Sequence, residues 1–233
     1  MPSPKCLFVF SLGGSLVVPK EGIDTNFLHA FRQLILTAIL KEHQQFVMVV
    51  GGGSTCRNYQ AAARKISPLD PEDLDWLGIH STRLNGHLLR TIFRSVAHPV
   101  MCKDPTRLPK KWRGSLLVLA GWKPGWSTDY VAVRAAKELG SKCVVNLSNI
   151  DYLYDKDPRK YKGAQPIFDI SWKDFQKMVG NDWDPGMNTP FDPVASRLAH
   201  KQGIEVIIMN GKKIKNLEGF LLKKSFTGTF IHS

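Results

Sequence analysis

Three short apolar runs in this chain stop at glycine. Cys6 to Leu12 meets Gly13-Gly14, Phe46 to Val50 meets Gly51-Gly52-Gly53, and Leu116 to Ala120 meets Gly121. Runs of five to seven apolar residues bounded by turn formers predict buried strands. Amphipathic segments alternate with them. Phe27, Leu28, Phe31, Leu34, Ile35, Ala38 and Ile39 recur at helical spacing after Asp24 or Thr25, either of which caps a helix. A helix follows the glycine triple to about Ile66, and after Pro68 and Pro71 a longer one carries Leu74, Leu77, Leu84, Leu88, Leu89, Ile92 and Phe93. Thr128 is expected to cap a helix running to Leu139, followed by a strand over Lys142 to Leu147. A helix from about Pro193, a strand over Ile204 to Met209, a helix near Ile214 to Leu222 and a strand over Gly228 to Ile231 complete the pattern.

Buried strands alternating with helices predict a three-layer α/β/α sandwich around a mainly parallel sheet. The 233 residues fit a single domain of this kind. With 43% apolar and 22% charged residues the composition excludes collagen, coiled coil and disorder. No apolar stretch approaches the roughly eighteen residues that span a bilayer. The run after Lys5 is interrupted by Gly13-Gly14 without a cleavage signal, so it reads as a strand and not a leader. The four scattered cysteines form no C-x-x-C pair, which argues against a zinc site or disulfide framework and for a reduced, cytoplasmic setting.

In parallel sheets ligands sit beyond the carboxyl ends of the strands, where these glycines fall. Gly13-Gly14-Ser15 and Gly51-Gly52-Gly53 let backbone N–H groups approach phosphate oxygens; either alone reads equally as a tight turn. The sequence lacks G-x-x-x-x-G-K-[ST], a G-x-G-x-x-G after the first strand, H-E-x-x-H and G-x-S-x-G. The loop Gly121-Trp122-Lys123-Pro124-Gly125-Trp126-Ser127-Thr128-Asp129 is either a capped helix start or a substrate loop. Ser148-Asn149-Ile150-Asp151 through Tyr154, Asp157 and Pro158 is either turn chemistry or a nucleobase cradle. The net charge of +12 suits anionic partners, with basic clusters at Lys103, Arg107, Lys110, Lys111 and Arg113 and at Lys212, Lys213 and Lys215. No nucleic-acid signature accompanies them, and nucleic acid is not the expected partner.

Together these segments resemble the amino acid kinase family, and within it uridylate (UMP) kinases of the archaeal type. The likeness runs through SLGGSLVVP at 11–19, VVGGGSTCR at 49–57, DWLGIHSTRLNG at 75–86, GWKPGWSTDYVA at 121–132, SNIDYLYDKDPRK at 148–160, FDPVASRLAHKQGI at 191–204 and GTFI at 228–231. It implies a homohexamer that transfers a phosphoryl group from ATP to UMP with Mg²⁺ carried on the ATP phosphates and no metal ligand assigned to the protein. It implies that the N-terminal part serves mainly UMP and the C-terminal part mainly ATP. Carried over by position, Gly13, Gly14, Ser15, Gly53 and Arg57 would face the ATP phosphates, and Ser148, Asn149, Tyr154 and Asp157 the adenosine end. Gly52, Asp75 and the stretch Trp122, Lys123, Pro124, Gly125, Trp126, Ser127 and Thr128 would hold UMP. Asp129, Arg57 and Lys123 would serve the reaction centre. Two positions depart from the pattern: Ser11 stands where many members carry lysine, and Ser54 where Lys or Asn is common. Lys123 and Arg57 are the cations available in their place. Other readings are a related kinase with a different phosphate or carboxylate acceptor, and a non-catalytic anion-binding assembly on the same fold. The stretch Gly180 to Met187 reads as a lid, an interface or a plain loop, the last being favoured.

Overall fold

The computed structural model describes residues 6–156, 158, 160–180 and 190–233. In chain order the elements are β1 (Leu7–Leu12), α1 (Gly14–Val17), α2 (Thr25–Glu42), β2 (Gln45–Val50), α3 (Gly53–Ile66), α4 (Pro71–Ile92) and β3 (Leu116–Leu119). They continue with α5 (Thr128–Leu139), β4 (Cys143–Ser148), β5 (Leu153–Tyr154), β6 (Pro166–Ile167), β7 (Asp169–Ser171) and α6 (Trp172–Val179). The last are α7 (Pro193–Gln202), β8 (Glu205–Asn210), α8 (Ile214–Leu221) and β9 (Thr229–His232). Each of the six strands expected from the apolar runs begins and ends within one residue of its expected bounds.

The strands form a seven-stranded sheet in the order β3-β2-β1-β4-β8-β9-β7. The first five are parallel, as expected, and β9 runs antiparallel to β8. Connections from β1 lead outward to β2 and β3 on one side and to β4 and β8 on the other. The junction of β1 and β4 is therefore the topological switch point, where such sheets open a crevice.

Side chains alternate across the sheet. Phe8, Phe10 and Leu12 of β1 pack toward α2 and α8 with Phe46, Met48 and Leu147. Leu7 and Val9 pack toward α5, α6 and α7 with Val47, Val144, Trp172 and Phe191. All seven apolar residues expected on the α2 face are buried. Burying each such side chain contributes about 1.5–3 kcal/mol, which holds the helix to the sheet far more firmly than its propensity would.

Asp24, not Thr25, caps α2, its carboxylate accepting from the Phe27 N–H at 2.9 Å. Ser127, not Thr128, caps α5, its hydroxyl accepting from the Tyr130 N–H at 3.1 Å. The segment from β5 to α6 was not foreseen. Strands of two or three residues are too short to show a period, although Ser171 followed by Asp174 is a legible cap for α6, with the Ser171 hydroxyl accepting the Asp174 N–H at 3.1 Å. Gly180 closes α6, and the remainder of the 180–187 stretch lies outside the described residues.

Candidate active site

Two glycine turns meet at the switch point. The Gly13 N–H donates to the Leu147 carbonyl at 2.8 Å, and the Gly51 N–H to the Leu12 carbonyl at 2.9 Å. Gly14 lies directly on the other turn: a Cβ there would stand 2.5 Å from Gly51 C and 2.6 Å from Gly51 O, and closer still to Gly53 N. Gly53 has φ +63, a region open to glycine, and starts α3 there. Its positive end and the bare backbone form a surface suited to anions. Ser54 turns inward. Its hydroxyl donates to the Pro19 carbonyl at 2.6 Å, so this position ties α3 to the exit of α1.

Behind the turns sits Asp129, in the first turn of α5. The Ser11 hydroxyl donates to Asp129 Oδ1 at 2.6 Å and the Asn146 amide donates to the same oxygen at 2.9 Å. The Asp192 N–H donates to Oδ2 at 3.3 Å. Asp192 caps α7, accepting from the Ala195 N–H at 2.6 Å, and its carboxylate also accepts from the Ser127 hydroxyl. Burial pushes the Asp129 carboxyl up to about 6, against the pull of the Ser11 bond and with help from the neighbouring Asp192 charge. Burial raises Asp192 as well, opposed by Ser127. Asp192 and Asn146 were not among the expected site residues. Asp192 was visible as a cap before Pro193, whereas Asn146 gave no signal inside an apolar run.

One helix, α4, holds both the glycine triple and the 121–128 loop. Asn85 donates to the Gly51 carbonyl at 2.8 Å and to the Gly52 carbonyl at 3.2 Å. The Thr82 hydroxyl accepts the Gly121 N–H at 2.7 Å, Arg83 donates to the Trp122 carbonyl at 3.0 Å, and Asp75 Oδ2 accepts the Gly125 N–H at 2.7 Å. Asp75 and Thr82, two turns apart, lie one above the other on α4, with Arg83 and Asn85 flanking them on opposite sides, so the helix reaches the 121–128 loop on one side and the glycine triple on the other. In the loop, Trp122 and Trp126 stack with centroids 6.2 Å apart, and Trp126 lies 4.0 Å from Tyr130. Pro124 is half-buried and Gly125 is exposed.

The structure does not bring Lys123 to Asp129. Its ammonium rests 4.5 Å above the Trp122 ring and acts on Asp104. Arg57 is exposed on α3, one turn beyond the glycine triple. At the other end of the crevice, Ser148 and Asn149 leave β4, and half-buried Tyr154 lies on β5 with its ring 6.5 Å from that of Tyr152. Asp157 lies outside the described residues. A cavity of about 460 Å³ lined by Arg90, Arg94, His98 and Arg113 lies elsewhere, beside Ala97 and the start of β3. All four cysteines are unpaired.

A mainly parallel sheet with apposed glycine turns and a half-buried carboxylate at its switch point defines an α/β protein built to handle phosphate groups. The chain belongs to the amino acid kinase family, whose model matches residues 7–210. A uridylate kinase from Methanospirillum hungatei is 34% identical over 225 residues, covering 96% of this chain and 93% of that one. Another from Methanoregula boonei is 32% identical, covering 92% and 91%. The crystal structure of uridylate kinase from Archaeoglobus fulgidus superposes with a TM-score of 0.80 at 26% identity, covering 98% of this chain and all of that one. A UMP kinase from Bacillus anthracis, 20% identical with a TM-score of 0.78, shares the fold.

Proposed function

We propose that this chain is a uridylate kinase. A UMP phosphate oxygen attacks the γ-phosphorus of ATP, the bond to the ADP oxygen breaks, and UDP and ADP leave; the reaction is reversible. The reading is carried by one observation: the two glycine turns and Asp129 converge at the switch point, with α4 holding the second turn and the 121–128 loop together. Full-length kinship to uridylate kinases supports it. Phosphoryl transfer needs alignment and charge stabilisation more than covalent chemistry, and the ionised acceptor needs no general base.

In this reading the whole chain is one domain. Gly13, Gly14, Ser15, Gly53 and Arg57 face the ATP phosphates, and Ser148, Asn149, Tyr154 and Asp157 the adenosine. Gly52, Asp75 and residues 122–128 hold UMP. Lys123 reaches a phosphate only by leaving the Trp122 ring. Mg²⁺ enters on the ATP phosphates. When bound it spreads the charge of the transferring group. The product feeds pyrimidine nucleotide synthesis. Exposed Tyr59 and Ile66 on α3 and Trp76 and Leu84 on α4 support self-association, taken as a homohexamer. Unpaired cysteines support a reducing, cytoplasmic setting. No helix among the described residues is long and apolar enough to cross a membrane.

The test is ADP release from MgATP with UMP, CMP, dUMP, GMP and AMP. Marked selectivity for UMP is expected, and absence of turnover with all five would overturn the reading. Asp75→Ala removes the bond to Gly125 and the carboxylate expected to meet the acceptor. It should raise KM for UMP by about tenfold or more, a charged hydrogen bond contributing about 1.5–3 kcal/mol, with KM for ATP nearly unchanged. An equal rise in both would show that the loop does not serve the acceptor.

A further inference from the structure

We propose that Ser11 and Asn146 are positioning residues of the phosphoryl-transfer centre, two neutral donors on adjacent strands that fix the plane of the Asp129 carboxylate by sharing its Oδ1. The inference rests on the kinase reading above. β1 and β4 pair in parallel with Ser11 directly opposite Asn146. Alternation carries both toward α5, continuing the rows of Val9 and Val144. Both are buried, at 3% and 6% exposure, in strands that are otherwise apolar there. A polar group in such a place is costly unless hydrogen-bonded. Packing alone would be met by valine at either position, yet both side chains direct a donor to one oxygen of one carboxylate. Among the described residues Oδ2 holds only the long 3.3 Å bond from the Asp192 N–H, which leaves it as the oxygen with spare capacity.

Among the described residues few charged groups act on this carboxylate. From α7 comes Asp192, whose charge opposes ionisation of Asp129, and Arg197 on the same helix acts on Asp192. β1 and β4 contribute only the two neutral donors. Loss of either donor removes a bond that favours the ionised carboxylate and frees its plane to rotate.

The experiment compares the full chain with Ser11→Ala, Ser11→Thr and Asn146→Leu. Carboxyl ¹³C NMR follows the Asp129 titration without requiring turnover, and kcat and both KM values are measured across pH. In Ser11→Ala and in Asn146→Leu the Asp129 midpoint should rise by about one pH unit. The acid limb of kcat should move upward with it while both KM values hold, and Ser11→Thr, which keeps the hydroxyl, should restore both properties relative to Ser11→Ala. An unmoved midpoint, a loss of kcat equal at every pH, or a failure of threonine to rescue would overturn the proposal. Should Asn146→Leu not fold, the Ser11 pair decides. Should the unsubstituted chain not turn over UMP, the kinase reading fails while the NMR result still decides what holds Asp129.

Discussion

At pH 8, Asp129→Asn is expected to melt about 5–10 °C above the unsubstituted chain while losing at least about a hundredfold in kcat. The two effects have one cause. The Asp129 carboxyl titrates at about 6 in the folded chain against 3.8 as its ordinary value, chiefly because burial disfavours its charge. The folded state therefore binds this proton more tightly than the unfolded one. Its destabilising contribution is absent below the unfolded value, grows as pH rises toward the folded value, and is complete above about 6, at about 3 kcal/mol. An amide resembles the protonated acid and removes that penalty. It can still accept from Ser11 and Asn146, so the packing is kept. What it removes is the negative charge at the proposed reaction centre, which geometry cannot replace. Thermal melts at pH 4.5 and 8 check the first half: the advantage of the variant should shrink at the lower pH. An equal difference at both values, or a lower melting point at pH 8, would show that desolvation of Asp129 is not what the fold bears.

Gly14→Ala should be the more damaging change to the fold. The residue is helical, at the start of α1, so no conformational strain is involved. The obstacle is space: the new methyl would fall 2.5–2.6 Å from Gly51 C and O, and closer to Gly53 N, all backbone atoms. Backbone cannot rotate away as a side chain can, so the two turns must part. A loss of about 3–5 kcal/mol is expected, at the upper end for a single substitution. KM for ATP should rise in whatever fraction remains folded, because the apposed turns form the proposed phosphate surface. Gly125→Ala is the control. Its φ is +83, but nothing lies within 4 Å of the added methyl. It should lose only about 1–2 kcal/mol, the left-handed backbone being the sole difficulty. Urea midpoints of the two variants make the comparison, and similar losses would mean that the turns are not in hard contact.

The two substitutions mark what could be read from residues in order and what could not. Glycines ending apolar runs were visible, and they do stand at the carboxyl ends of β1, β2 and β3. That Gly14 lies on Gly51 and Gly53 was not visible, because the two turns are separated by more than thirty residues and meet only when β1 pairs with β2. Asp75 and the 121–128 loop were both legible as candidates, but not the bond from the Gly125 N–H to the Asp75 carboxylate. Lys123 was legible as a cation near phosphates, and the fold instead rests it on Trp122.

Periodicity and turn chemistry are local, so the chain alone determined the order of elements, the faces of its helices, the glycine turns and the motifs that mark its family. Strand order and register depend on pairings between segments far apart in the chain. Only they decided that Ser11 would lie opposite Asn146, that both would face α5, and that Asp129 would sit between them with Asp192 beside it. The energy of that centre comes from desolvation and from hydrogen bonds between distant segments. Neither exists until the sheet has formed.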